Sequence, residues 1–267
     1  MNTLRFERDG PVGRLVLNRP DRLNSFTPEM WRELAELGAE LAADPELRAL
    51  VVTGEGRAFS SGIDTSVFAA GTAELDRDDS RHDDPTVAAI LRTQDAYTWL
   101  DEAPFATIAA VRGYALGAGL QLALACDLRV VARGTTLGLL EFKYGIIPDL
   151  GGTQRLPRLV GPGKAKEMIL TAAQLDAEEA ARIGIVEQLV DEAELDRRAT
   201  ELAVTIAAQP PLAVRAAKRA VDVAGRLPIR DGLLVEAEGQ ATCLRSDDMK
   251  EAIAAFVEKR APTYHAR

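Results

Sequence analysis

Residues 105–132 read FATIAAVRGYALGAGLQLALACDLRVVA, and the order of residue types in this stretch decides the fold. Phe105 to Val111 is an apolar run of strand length. Gly113 to Gly119 is a loop of glycine and small residues, Leu120 to Cys126 a short apolar helix, and Leu128 to Ala132 a second buried-type strand. The strand and glycine loop occur once before, where Leu47 to Val52 runs into Gly54-Glu55-Gly56 and the loop Arg57 to Asp64. Such repetition of strand, loop and helix predicts an α/β protein of stacked layers rather than a doubly wound sheet.

Outward from this centre the punctuation is clear. Thr3 to Phe6 and Val12 to Leu17 read as strands about the turn Asp9-Gly10. Thr27-Pro28 reads as an N-cap with proline at the first helical position, and Leu34, Leu37 and Leu41 mark the buried face of a helix ending near Asp44-Pro45. Ala69 to Asp84 is acidic and poor in large apolar residues, the composition of a mobile surface loop. Asp84-Pro85 starts a helix that carries Val87, Ile90, Leu91 and Leu100 as far as Pro104. Asp176 with Glu179 forms a capping-box-like start, Gly184 a stop, and Ile185 to Val190 a strand. From Glu192 onward the pattern is helical, broken at Gln209-Pro210-Pro211, with Leu212 to Gly225, Ile229 to Leu244 and Asp247 to Lys259 as the last pieces. The predicted division is a layered core, residues 1–208, and a helical region, residues 209–267.

The 267 residues, 47% hydrophobic and 27% charged, suffice for one substantial core. No apolar run reaches the roughly 20 residues that cross a bilayer, so a cytoplasmic protein without a membrane partner is expected. Cys126 and Cys243 are far apart, which supports neither a disulfide framework nor a thiolate metal site. A net charge of -9 argues against nucleic acid as a partner. With only His82 and His265 present, a Ser-His-Asp triad and a histidine-rich metal site are both disfavoured, and no metal is expected. A general acid or base is then a carboxylate.

Two loops are candidate sites. Arg57 to Asp64 follows a buried strand and contains Ser60, Ser61 and Gly62, small enough for a ligand to approach the backbone. Gly113 to Gly119 leads into a helix whose first N–H groups lack intrahelical acceptors and suit developing negative charge. A nucleotide cradle fits less well, because Gly117-Ala118-Gly119 lacks the third glycine of G-x-G-x-x-G and no Gly-Lys-Ser/Thr follows.

Together the loops resemble the paired signature of the enoyl-CoA hydratase/isomerase (crotonase) superfamily. The resemblance continues through Ala125-Cys126-Asp127, Gly145-Ile146-Ile147-Pro148-Asp149 and Gly151-Gly152-Thr153-Gln154-Arg155-Leu156-Pro157. Leu17-Asn18-Arg19-Pro20 with Asn24, Ala180 to Val186, Phe256 and Glu258 to Pro262 extend it over essentially the whole chain. It implies a spiral of ββα turns with a C-terminal helical region that builds homotrimers, often dimers of trimers. It also implies an acyl-CoA substrate, coenzyme A being part of the substrate and no separate cofactor being required. The peptides of Ser61 and Ala118 are then expected to hold the thioester oxygen. Arg22 and Leu23, with Gly62, Ile63 and Asp64, are expected along the coenzyme A path, and Phe256 and Lys259 to reach in from a neighbouring subunit.

Hydratases of this family commonly use two glutamates. Here the first position is Gln121, which cannot accept a proton, and the second is Glu141. A single carboxylate suffices to shift a double bond, so isomerisation through an enolate is slightly favoured over hydration. Asp149 has two readings: related isomerases use an aspartate there, and it can equally cap the turn into Gly151-Gly152. Gln121 is either a plain helix residue or a substrate contact. Its presence also motivates a rival reading, an acyl-CoA-binding protein without catalysis.

Overall fold

The computed structural model describes residues 1–67 and 81–266. Its strands are β1 (Leu4–Asp9), β2 (Val12–Leu17), β3 (Ala49–Gly54), β4 (Ala106–Val111), β5 (Tyr114–Leu116), β6 (Leu128–Ala132), β7 (Thr136–Gly138), β8 (Gln174–Asp176) and β9 (Gln188–Val190). The helices are α1 (Pro28–Ala42), α2 (Pro85–Glu102), α3 (Ala118–Ala125), α4 (Gly152–Thr171), α5 (Ala177–Arg182), α6 (Leu195–Ala207), α7 (Pro211–Val223), α8 (Ile229–Arg245) and α9 (Asp247–Glu258).

The larger sheet has the order β1-β2-β3-β4-β6-β9 and the smaller the order β5-β7-β8. The hairpin β1-β2 is antiparallel, whereas β2, β3, β4, β6 and β9 run parallel. Single bridges from Phe26 to Ile63 and from Ser60 to Ala115 continue the smaller sheet into the first glycine loop. Each turn therefore lays one strand in the larger sheet, then crosses to the smaller. That is the ββα spiral implied by the family resemblance.

Strands β3 and β4 are buried at every position, as parallel strands covered on both faces must be. Alternation sorts their side chains. Leu50, Val52, Ala109 and Val111 join the core shared with α1 and α2. Ala49, Val51, Ile108 and Ala110 pack against Leu195, Ala199, Ala203 and Ala207 of α6. The alanine stripe lets α6 lie close to the sheet, and each large aliphatic side chain removed from water there contributes about 1.5–3 kcal/mol.

The caps follow the local chemistry. Thr27 accepts a hydrogen bond from the Met30 N–H at 3.3 Å, Asp84 from Thr86 at 2.8 Å, and Asp176 from Glu179 at 2.7 Å. Several elements differ from expectation. The loop Gly113 to Gly119 contains β5, and α3 begins at Ala118 rather than Leu120. The strand after Gly184 pairs only over Gln188–Val190, and β7 and α4 had no sequence signal strong enough to place them. Most of the acidic stretch Ala69 to Asp84 lies outside the described residues.

The C-terminal helices fold back on the core: Lys218 Nζ pairs with Asp127 at 3.0 Å and donates to the Leu100 carbonyl at 2.9 Å. Their outer faces are apolar. Neither α7 nor α8 contains a buried residue, and Ile229, Leu233, Leu234, Ile253, Phe256 and Val257 are all exposed, Phe256 by 85%.

Candidate active site

The first glycine loop leaves β3 and is clamped by Asn24. The Asn24 amide donates to the carbonyls of Glu55 at 2.9 Å and Ala58 at 2.8 Å, and its oxygen accepts from the Arg19 N–H at 2.8 Å. Leu23 and Asn24 adopt left-handed backbone conformations, φ 50° and 53°, which aims the Leu23 carbonyl at the loop. Replacing Asn24 by alanine leaves buried carbonyls unpaired, at about 1–3 kcal/mol each. N24A is expected to lose a few kcal/mol in urea unfolding and to lose turnover with it.

The five successive N–H groups from Ser60 to Asp64 have nearly all been used. Ser60 donates to the Tyr114 carbonyl, Ser61 to Leu23 and Asp64 to Phe26, each at 2.9 Å, and Gly62 donates to the Ser60 hydroxyl at 3.2 Å. The Ile63 N–H has no acceptor among the described residues. This corrects the expectation for Ser61, whose peptide is consumed by the chain itself. The free donor in this loop is Ile63.

The second donor comes from α3. The Gly117 N–H bonds to the Gly138 carbonyl at 2.8 Å, so the next peptide, that of buried Ala118 at the first helical position, points out of the helix end an N–H without an acceptor among the described residues. Glycine brings the two loops together. A Cβ on Gly119 would stand 2.7 Å from the Ser60 backbone oxygen, and one on Gly62 2.9 Å from that of Leu116. Neither contact tolerates a side chain.

A small cavity of about 50 Å³ lies between them, lined by Ser61, Gly62, Ile63, Gly117, Glu141 and Ile146 among others. Glu141 starts a short 3-10 turn, Glu141–Tyr144, and is 5% exposed. Its Oε1 accepts from Gln121 Nε2 at 2.7 Å, while Oε2 is buried without a partner among the described residues. Burial raises the Glu141 pKa above the ordinary glutamate value and the nearby Asp149 charge adds to the rise, opposed in part by the Gln121 amide. A buried carboxylate with one unpartnered oxygen, in a cavity that Ile63 also lines, is chemically able to exchange a proton.

Gln121 lies in α3 and makes contacts that the sequence did not indicate. Its oxygen accepts from the N–H groups of Leu150 at 2.8 Å and Gly152 at 2.9 Å, and its nitrogen holds Glu141. It ties Glu141 to the start of α4. Asp149 lies beyond, lining a larger cavity of about 790 Å³, with its pKa raised by burial.

Among the described residues no group of His, Cys, Asp and Glu is arranged to hold a metal ion, and no helix is long and apolar enough to cross a membrane. A model of the family described as enoyl-CoA hydratase/isomerase matches residues 7–267. The chain belongs to the enoyl-CoA hydratase/isomerase family. It is 36% identical over 261 residues to the short-chain-enoyl-CoA hydratase of Clostridium acetobutylicum, covering 97% of this chain and 96% of that protein. The crystal structure of enoyl-CoA hydratase from Bacillus anthracis superposes with a TM-score of 0.90 at 33% identity, covering 99% of this chain and 100% of that one. A Thermobifida fusca relative solved in complex with CoA has a TM-score of 0.81 at 40% identity, covering 91% of this chain and 93% of that one. The fold is therefore crotonase-like, and the chain is an enzyme of this family.

The remaining positions carried over from the family fall in two groups. Arg22 is exposed on a 3-10 turn, next to Leu23. Asp64 is already engaged, by Arg19 at 3.0 Å, Ser25 at 3.2 Å and the Ser66 hydroxyl at 2.8 Å. The Ser66 hydrogen bonds, with those from Arg19 and Ser25, hold its carboxyl well below the usual range. It stiffens the loop that presents Ile63. Phe256 and Lys259 end α9 on the exposed apolar face and line neither of the two cavities around Glu141 and Asp149.

Proposed function

We propose that this enzyme binds an acyl-CoA thioester with its carbonyl oxygen between the peptide N–H groups of Ile63 and Ala118, and that Glu141 moves the proton. The observation that carries this reading is the partnerless, buried Oε2 of Glu141 in the cavity that Ile63 and Gly117 also line. As an α-proton leaves, negative charge builds on the thioester oxygen, and the two donors stabilise it without reorganising. Glu141 then returns the proton to a different carbon. The product is a shifted double bond.

The occupancy of Gln121 favours isomerisation over hydration. Both ends of its amide are engaged, so water addition would have to use Glu141 alone, or Glu141 with the buried Asp149 as a second acid. The hydratase names of the relatives favour water addition, and the alternative in which Asp149 is the second acid keeps that reading open. The CoA-bound relative supports the thioester as ligand. Purified enzyme is to be mixed in heavy water with 2-enoyl and 3-enoyl thioesters and followed by mass spectrometry. Deuterium incorporation with no mass of added water supports isomerisation. A hydrated product supports the second reading, and binding without any exchange would leave only a non-catalytic carrier.

Residues 209–267 are proposed as an oligomerisation region that builds a trimer. The exposed apolar side chains of α8 and α9 support this, because a contiguous apolar face of that kind is normally covered. In such an assembly Phe256 and Lys259 would reach a neighbour's ligand. A monomer in sedimentation velocity would remove the assembly and both assignments.

A further inference from the structure

The larger cavity adjoins the Glu141 pocket through Ile146, which lines both. One wall is α2, with Ile90 and Gln94, and another is the first part of α4. Three guanidinium groups line it, and they are not equivalent. Arg155 is neutralised: its Nε and Nη2 bind Asp101, and its Nη1 donates to the Leu150 carbonyl at 2.8 Å. The guanidinium groups of Arg158, one turn further along α4, and of Arg226, between α7 and α8, have no hydrogen bond and no ion pair among the described residues.

Two like charges facing one cavity repel each other. Burial, followed by the proximity of Arg226, lowers the Arg158 pKa. Two acids are in electrostatic range of Arg158, and neither pairs with it. Asp101 is committed to Arg155, and Asp222, on α7, makes no ion pair among the described residues. Arg158 and Arg226 are both solvent-exposed, and a purely aliphatic group filling this space would displace part of their water and return nothing. A carboxylate returns charge-assisted, bidentate hydrogen bonds. Arg158 also lies about 9 Å down the helix axis from Gly152, at 1.5 Å per residue, which leaves room for methylenes along the apolar walls before the cations are met.

We propose that this cavity receives the distal end of an acyl group that terminates in a carboxylate, with Arg158 and Arg226 as the residues that select it. The assignment rests on the thioester-binding function proposed above and names its substrate class. A phosphate of coenzyme A is the other anion at hand. It is disfavoured, because Leu23 and Arg22 adjoin the site from the Ser61 loop, whereas the cations lie past Asp149.

The test compares the coenzyme A thioesters of trans-2-hexenoic and trans-2-hexenedioic acid, and their two-carbon-longer homologues, on wild type, R158Q, R226Q and the double variant. Wild type is expected to favour the carboxylate-ended ester of at least one length. Each single variant should lower kcat/KM for that ester about tenfold to a hundredfold, the worth of one charge-assisted hydrogen bond, and leave that for the methyl-ended ester unchanged. Calorimetric affinity for coenzyme A alone should not move. Equal losses on both esters, a wild-type preference for the methyl-ended ester, or weakened coenzyme A binding in the variants would each overturn the assignment. Absence of turnover and of α-proton exchange with every ester would instead refute the proposed function, so the two failures are distinct.

Discussion

Glu141→Gln is expected to lower kcat by about 10²–10⁴-fold, the contribution of a positioned general base, while raising stability at neutral pH. The two effects have one cause. Glu141 is buried, with one oxygen held by Gln121 and the other without a partner among the described residues, so its charge is costly and is available to a substrate. The sign of the pH dependence follows from the raised pKa. Between the ordinary glutamate value and the raised one, the folded protein keeps a proton that the unfolded chain has released. Stability therefore falls as pH rises through that window, and the full penalty is present above it. Glutamine removes it, and the Gln121 amide still finds an oxygen to bind. Thermal unfolding should show a higher midpoint for E141Q at neutral pH, by about 2–4 °C for each kcal/mol recovered, and no gain below the ordinary glutamate value. The acid limb of wild-type kcat/KM should lie above that value too, since only the ionised form accepts a proton. A variant with unchanged turnover would remove Glu141 from the chemistry.

Much of this was legible in the sequence because it depends on neighbours in the chain. The Asp9-Gly10 turn, the caps at Thr27, Asp84 and Asp176 and the breaks at Gly184 and Pro210 are local signals, and each matches an element boundary. Helix α4 was not legible because it carries Pro157 and Pro162 and a non-helical Gly161, φ 77°, all of which read as breakers. It persists because Leu156, Ala165, Met168 and Ile169 pack into the core. Strand β7 has only three residues, too few for a period.

The site divides the same way. Small residues and a helix start mark the end of the Gly113 to Gly119 loop as a donor site, and the resemblance to the family picks out Ala118 within it. The donor in the other loop could not be found by position, because which peptide is free depends on remote acceptors. The Leu23 carbonyl that takes the Ser61 N–H is brought there by left-handed conformations at Leu23 and Asn24. Gln121 likewise makes its defining bonds to Leu150 and Gly152, 29 and 31 positions away. A glutamine with that partner set cannot be told from a surface glutamine by its neighbours in sequence.

Ala118→Pro tests the oxyanion donor with little disturbance of the fold and is expected to lower kcat by about 10²–10³-fold, the loss of one such donor, about 2.7–4 kcal/mol. The position makes the substitution informative. Ala118 is the first residue of α3, where a proline is pre-organised for the helix and gives up an N–H that makes no intrahelical bond. Gly117 precedes it and has no Cβ to collide with the proline ring. The helix should therefore survive, with a thermal midpoint and circular dichroism close to wild type. The added ring atoms also occupy space toward the oxyanion, so Ala118→Gly is the control: it keeps the N–H, removes only a methyl group and should retain most of the activity. Because charge develops on the oxygen in the transition state rather than in the bound thioester, the proline variant should lose far more in kcat than in KM. Retention of near-wild-type kcat by a folded Ala118→Pro would place the thioester oxygen elsewhere, and with it the role assigned to Ile63.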